Sequence, residues 1–97
     1  MVKMWSIYWT SLDPIIGSEQ AGIRPSLIIS NNIVNEVLPV VTVLPLSSIK
    51  KSNRIYPTEV FLPRKLSLLP KDSVIMIHQI RTIAKERIGS KCGDIND

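Results

Sequence analysis

The sequence predicts a mainly β, antiparallel fold, and two observations support this. Short runs of β-branched and aromatic residues recur along the 97-residue chain, separated by Pro, Asn, Asp and Gly. No amphipathic helix of about 10–15 residues alternates with these runs, as a parallel sheet would require. The length suits one domain, residues 1–97, and about five strands in this length predict a small barrel with little helix.

The first two predicted strands lie at 5–12 and 25–30. WSIYWTSL (5–12) is rich in aromatic and β-branched residues, and it leads into Asp13-Pro14, a turn signal. PSLIIS (25–30) begins with Pro25, whose missing N–H is tolerated at a strand start. Trp5 and Trp9 share one face of the first strand by its period of two, which favours core or dimer contacts over base stacking.

Three more strands are predicted in the rest of the chain. Asn31, Asn32 and Asn35 indicate a turn before the apolar run at 38–46, and the polar, basic segment 47–54 reads as a loop. The remaining strands are predicted at 55–62 and 73–83, with a proline-bracketed connection between them at 63–72. A possible helical turn and a polar tail follow.

Positive charge is concentrated in the second half of the chain. Residues 1–49 have a net charge of −1, and residues 50–97 have a net charge of +5. This asymmetry suggests an anionic partner, either a nucleic acid or an acidic protein segment. A solvated basic face explains the same charges equally well.

Several classes of function are excluded by composition. The single histidine, His78, rules out a nuclease with two catalytic histidines, and it is more typical of an ordinary sheet residue. No cluster of His, Cys or carboxylates indicates a metal site, so neither metal nor cofactor is expected. The lone Cys92 suits a reducing cytoplasm. No apolar run approaches the roughly 18 residues of a membrane span, and the N-terminus reads as a strand, not a signal peptide.

The remaining chemistry lies in Glu19, Gln20, Arg24, Ser47 and Ser48. Arginine presents five donors in a planar fork that suits phosphate, and a hydroxyl can donate to an oxyanion. A carboxylate can accept a proton. The set fits metal-free cleavage of RNA, in which the substrate's own 2′-hydroxyl is the nucleophile.

At these residues the sequence resembles the MazF/PemK family of toxin endoribonucleases. The match covers most of the chain in four stretches: IYWTSLDPIIGSEQAGIRPSLIISNN (7–32), VVTVLPLSS (40–48), TEVFLP (58–63) and SVIMIHQIRTIAKERI (73–88). The resemblance implies an SH3-like β-barrel that forms a homodimer. It also implies metal-independent, sequence-specific cleavage of single-stranded mRNA to 2′,3′-cyclic phosphate and 5′-hydroxyl ends.

The resemblance also assigns residues and partners. Arg24, Ser47 and Glu19 are expected to be catalytic, and RNA-binding roles fall to a second group: Gln20, Asn31, Ser48, Lys50, Lys51 and Gln79. An antitoxin with a disordered acidic segment is expected to fill the RNA groove, and DNA would be contacted only through that antitoxin. The resemblance implies the involvement of neither a metal nor a membrane.

The sequence departs from the family pattern in three respects. Met4, Trp5 and Ser6 stand where the family commonly has Arg-Gly-Asp, and Ser47 replaces a threonine, which leaves the hydroxyl less preorganised. The sequence ends without the usual C-terminal helix, so that helix is absent or truncated and residues 89–97 are expected to be poorly ordered. Two alternatives stay open: a non-enzymatic, gyrase-binding toxin resembling CcdB, or a catalytically weakened RNA-binding remnant.

Overall fold

The fold is built almost entirely from antiparallel strands. The computed structural model describes residues 2–14, 17, 19, 22–49 and 55–95. Within them lie the following elements: β1 (Ser6–Ser11), β2 (Ile23–Ile28), α1 (Asn32–Val37), β3 (Val40–Ser48), β4 (Glu59–Leu62), α2 (Arg64–Ser67), β5 (Ser73–Met76), β6 (Arg81–Ala84) and β7 (Ile88–Asp94). Single 3₁₀ turns follow β5 at Ile77–Gln79 and β6 at Lys85–Arg87.

The long strand β3 organises the sheet. One edge of β3 pairs with β2, while its other edge pairs first with β6, through Val40–Val43, and then with β5, through Leu46–Ser48. The strand order is β4-β5-β3-β2-β1-β7, and β6 pairs with β3 outside this path. This confirms the predicted mainly β, antiparallel class with little helix. The sheet is barrel-like without being closed.

Alternation along the strands builds two clusters of buried side chains. Ile7, Leu27 and Leu44 are cross-strand neighbours and belong to the first cluster. The second cluster uses the alternate positions of β1, β2 and β3 and adds Ile83 of β6, the strand partner of Val41. Its buried members are Tyr8, Ile28, Val41, Val43 and Ile83. Because both faces of the central strands are covered, the sequence shows continuous apolar runs and not a simple alternation.

Pro25 was predicted to begin the second strand, and this prediction is wrong. β2 begins at Ile23, and Pro25 lies inside it opposite Trp9 of β1. The ladder with β3 begins only at Ser26, so on that side Pro25 lies beyond the last paired residue. The missing N–H therefore interrupts no pairing with β3.

The asparagine-rich turn contains a short helix. Asn31 is the N-cap of α1, and its Oδ1 accepts a hydrogen bond from the Val34 amide at 2.9 Å. Asn35 is buried, and its Nδ2 donates to the Ser30 carbonyl at 2.8 Å. Asparagine favours caps as well as turns, so composition alone did not separate the two.

The predicted strand at 73–83 is two strands joined by a 3₁₀ turn. The Ile80 amide donates to the Ile77 carbonyl at 3.2 Å, and His78 lies exposed in the turn. The turn lets the chain move from one half of β3 to the other, since β5 and β6 pair with different halves. A run of β-branched residues does not reveal such a change of pairing.

The prediction of a poorly ordered tail from residue 89 is wrong for residues 89–94. These residues belong to β7, which pairs with β1 from Ser6↔Asp94 to Thr10↔Ile88. Gly93 is required for close packing, because a Cβ built there would lie 2.6 Å from the Ser67 carbonyl oxygen. Glycine and polar residues therefore mark a tightly packed strand here and not a free end. Residues 96 and 97 lie outside the described residues.

Candidate active site

Arg24 is held in a strand and not on a loop. It is the second residue of β2 and pairs with Thr10 of β1, whose side chain is completely buried. Arg24 itself is half-buried. The strand pairing therefore fixes the position of the Arg24 backbone, from which the guanidinium extends.

Ser47 was predicted to begin a loop, but it lies near the end of β3, paired with Val74 of β5. The last pair of the β2–β3 ladder is Ser26↔Pro45. Arg24 lies two residues before Ser26 in β2, and Ser47 lies two residues after Pro45 in β3. Because side chains alternate with a period of two, this register places Arg24 and Ser47 on the same face of the sheet.

Arg24 and Ser47 line one pocket of about 320 Å³. Its walls are largely apolar, with a polar group formed by Arg24, Ser47, Ser48, Lys71 and Ser73. The apolar walls come from seven residues: Trp9, Ile23, Pro25, Leu46, Leu69, Pro70 and Cys92. An apolar cleft with a few convergent polar groups is the usual form of a ligand site.

Lys71 and Ser73 are pocket residues that the sequence analysis missed. Ser73 is the strand partner of Ser48, and its hydroxyl donates to the Lys71 carbonyl at 3.4 Å. Lys71 and Ser48 also border an adjacent pocket of about 510 Å³, which includes Phe61. The proline before Lys71 gave the only sequence signal, and it indicated no more than a turn.

Trp9 is not a core residue. Its side chain is 43% exposed, and it lines the pocket beside its cross-strand partner Pro25. Trp5 is similarly exposed, at 41%. The core alternative for these tryptophans is therefore wrong, and Trp9 offers an aromatic surface next to Arg24.

The loop residues of the predicted site are only partly described. Glu19 is exposed on the connection between β1 and β2, and it does not line the pocket. Gln20, Lys50 and Lys51 lie outside the described residues, so their predicted roles remain predictions. Ser48 lines the pocket, and its RNA-binding role stays a prediction.

Asn31 and Gln79 lie away from the Arg24–Ser47 pocket. Asn31 follows the opposite end of β2 from Arg24 and caps α1. Gln79, predicted in a strand, ends the 3₁₀ turn between β5 and β6. Any RNA that contacts all the predicted residues must therefore extend well beyond this pocket.

Cys92 is a half-buried wall residue of the pocket. Burial raises the pKa of its thiol above the ordinary value of 9.0. The side chain is therefore a neutral wall of the pocket near neutral pH.

Among residues 2–14, 17, 19, 22–49 and 55–95, no group of three or more His, Cys, Asp or Glu is placed to hold a metal ion. Over the same ranges, no helix is long and apolar enough to cross a membrane.

Comparison with known proteins identifies the family. Residues 3–97 match the family model for PemK-like, MazF-like toxins of type II toxin–antitoxin systems. The chain belongs to this family. The predicted family is confirmed, and the chain is one of its toxins.

Individual relatives agree with this assignment. Endoribonuclease EndoA of Bacillus subtilis (strain 168) is 37% identical over 97 residues, which are 100% of this chain and 83% of the relative. The crystal structure of MazF from Deinococcus radiodurans superposes with a TM-score of 0.81 at 26% identity, over 96% of this chain and 80% of that one. The family and the EndoA relative support the prediction that the toxin is an endoribonuclease.

A third comparison is with a complex. An endoribonuclease from a mycobacterial species, solved with its cognate antitoxin, has a TM-score of 0.75 at 23% identity, over 99% of this chain and 81% of that one. At this identity the similarity shows that the fold is shared.

Proposed function

We propose that this toxin cleaves single-stranded mRNA at specific sequences, without a metal, at the pocket that Arg24 and Ser47 share. The observation that carries the proposal is the convergence of these two residues, 23 positions apart in sequence, on one cleft. A guanidinium and a hydroxyl beside an apolar wall provide what a phosphodiester and its neighbouring base require.

The reaction is an intramolecular transfer within the RNA. The 2′-hydroxyl oxygen attacks the adjacent phosphorus, and the bond between phosphorus and the 5′-oxygen of the next nucleotide breaks. The proton lost by the 2′-hydroxyl passes to a base, and another proton is delivered to the departing 5′-oxygen. The products are a 2′,3′-cyclic phosphate and a 5′-hydroxyl, and the protein supplies no nucleophile.

Each catalytic residue has a distinct role in this scheme. Arg24 presents the planar donor group of a guanidinium and stabilises the charge that develops on the phosphorane. Ser47 donates a hydrogen bond to a non-bridging oxygen. Glu19 is the candidate base for the 2′-hydroxyl. Because it does not line the pocket, this role requires that it approach the pocket when RNA binds.

The remaining pocket residues suit the nucleotides around the scissile bond. Trp9 and Pro25 provide a wall against which a base can stack, and stacking on an aromatic ring contributes about 1–3 kcal/mol per base. Lys71 adds a positive charge between the two adjacent pockets. Gln20, Lys50, Lys51, Asn31 and Gln79 are proposed contacts to more distant nucleotides.

The proposed partners follow from the same surface. A groove that attracts phosphate also attracts an acidic peptide, so a disordered acidic segment of the cognate antitoxin is proposed to occupy it. DNA would be reached only through that antitoxin. A second copy of the toxin completes the assembly, and the cytoplasm is the proposed location.

The first prediction tests the catalytic pair. Wild-type toxin, incubated with a long single-stranded RNA in EDTA, should give discrete cuts with 5′-hydroxyl ends. Arg24→Ala should reduce the cleavage rate by about 10²–10³, because a donor to the transition state is lost. Arg64→Ala is the matched control, since Arg64 is an exposed arginine on α2 outside the pocket, and it should cut at the wild-type rate.

Three outcomes would contradict the proposal. Uncut RNA, together with Arg24→Ala toxin that arrests cells as strongly as wild type, would favour the gyrase-binding alternative. RNA that binds and remains intact would favour the non-catalytic remnant. Cleavage that requires a divalent ion would exclude the metal-free mechanism.

A further inference from the structure

Two arginines outside the predicted site hold the start of the connection between β1 and β2. Arg81 Nη1 donates to the Leu12 carbonyl at 3.0 Å. Arg87 Nη1 donates to the Ser11 carbonyl at 3.3 Å and to the Asp13 carbonyl. Three consecutive carbonyls, 11 to 13, are therefore bound by two guanidinium groups from the far end of the chain.

The same residues are tied to the other end of the connection. The Leu12 amide donates to the Gly22 carbonyl at 2.9 Å, and the Gly22 amide donates to Asp13 Oδ1 at 3.1 Å. Gly22 has a φ of 79°, a conformation that favours glycine. We call this arrangement of residues 11–13 and 22 the neck. The connection that carries Glu19 begins and ends at the neck.

The neck adjoins the catalytic strand directly. Gly22 is two residues before Arg24, whose strand partner Thr10 is two residues before Leu12. Arg24 is additionally fixed by its own pairing in the sheet. Loosening the neck should therefore affect the connection and its RNA contacts more than the position of Arg24.

Arginine suits this role better than lysine. Its planar group offers several donors in a fixed fork and remains charged, and hydrogen bonds from a charged donor are stronger than neutral ones. The Ser11 and Asp13 carbonyls accept from one nitrogen of Arg87. A lysine at this position supplies the charge but is shorter and lacks the planar fork.

We propose that Arg87, assisted by Arg81, is a positioning residue that fixes the neck and thereby sets which RNA sequences the toxin cleaves. This inference rests on the proposed ribonuclease function. It assigns Arg81 and Arg87, in the basic second half of the chain, to holding the connection between β1 and β2 rather than to contacting phosphate.

The second prediction separates this role from catalysis. Arg87→Ala should raise KM about tenfold on an RNA oligonucleotide containing one mapped cut site, in line with the loss of a charged hydrogen bond. Its kcat should fall less than that of Arg24→Ala, because the connection carries only the candidate base Glu19 while Arg24 stays fixed in the sheet, and its cuts on a long RNA should spread to additional sequences. Arg87→Lys should behave like Arg87→Ala. Arg64→Ala, which removes an equal charge, should change none of these values.

A second variant and a second measurement test the neck without relying on Arg87 variants alone. Asp13→Ala removes the Gly22 contact from the exposed side of the neck, and it should broaden the cut sites in the same way. Hydrogen exchange at the Leu12 and Gly22 amides should accelerate in both variants. This measurement requires no RNA, so it tests the neck even if the proposed ribonuclease function fails.

Three results would overturn the inference. Full rescue by Arg87→Lys would mean that charge alone matters. Unchanged exchange at Leu12 and Gly22 would mean that Arg87 does not hold the neck. Faster exchange with an unchanged set of cut sites would mean that the neck does not set specificity.

Discussion

Single residues of the candidate site differ in how firmly the fold fixes them. Arg24 and Ser47 sit in paired strands, so their backbones are set by the sheet. Glu19 lies on an exposed connection whose ends are held at the neck. The stabilising groups are thus preorganised, while the candidate base depends on how its loop meets RNA.

The third prediction concerns the hydroxyl at position 47. Ser47→Ala should reduce kcat by about tenfold to a hundredfold, because it removes a donor to a non-bridging oxygen. Ser47→Thr keeps the donor and adds a methyl group that restricts χ1, so kcat should equal or exceed the wild-type value by a few-fold. Single-turnover cleavage of an oligonucleotide with one cut site measures both.

Ser90→Ala, an exposed serine on β7, is the control for this pair and should be silent. Equal rates for wild type, Ser47→Ala and Ser90→Ala would remove Ser47 from the mechanism. A lower rate for Ser47→Thr would mean that the pocket is fitted to serine itself.

At the scale of elements, β7 shows why a locally polar segment can still be essential. Its residues are exposed or half-buried except Gly93, yet the strand pairs along β1. The Ser67 carbonyl oxygen and the Leu69 side chain approach Gly93 closely. The strand is therefore positioned by its backbone and by the absence of a side chain.

The fourth prediction tests whether β7 requires a residue without a side chain at position 93. Gly93→Ala should lower the free energy of unfolding by about 1–3 kcal/mol, because its Cβ would lie 2.6 Å from a backbone oxygen that cannot easily move. Gly89→Ala is the matched control within the same strand, where the nearest atom is 3.1 Å away, and it should cost less. Urea denaturation measures both variants, and equal values near zero would show that β7 is not packed as described.

The sequence predicted the elements whose signal is local. An aromatic and β-branched run located β1, and an apolar run located β3. The family resemblance singled out Arg24 and Ser47, which line one pocket in the structure. The sequence did not predict β7, which depends on a tertiary contact at Gly93. It also did not predict the 3₁₀ turn between β5 and β6, which depends on how these strands pair with β3. Lys71, Ser73 and the arginines of the neck were also missed, because only the folded sheet brings them to the loop and the pocket.

At the scale of the whole molecule, one edge of the sheet exposes apolar side chains. β4 is the last strand in the sheet order, and it exposes Val60 and Phe61. The adjoining 3₁₀ turn exposes Ile77, whose amide donates to the Thr58 carbonyl beside β4. An apolar sheet edge of this kind favours association unless another surface covers it. The proposed homodimer would bury it.

The fifth prediction tests whether this edge is the dimer surface. Wild-type toxin should sediment as a dimer at micromolar concentration, and Ile77→Glu should raise the dimer dissociation constant at least about tenfold, because it places a charge in an apolar contact. Ile33→Glu, an equally drastic change at an exposed isoleucine on α1, should leave the dimer intact. Sedimentation velocity over a concentration series gives both constants. If the two variants dissociate alike, or wild type is monomeric throughout, the edge formed by β4 and the 3₁₀ turn is not the surface that joins two copies.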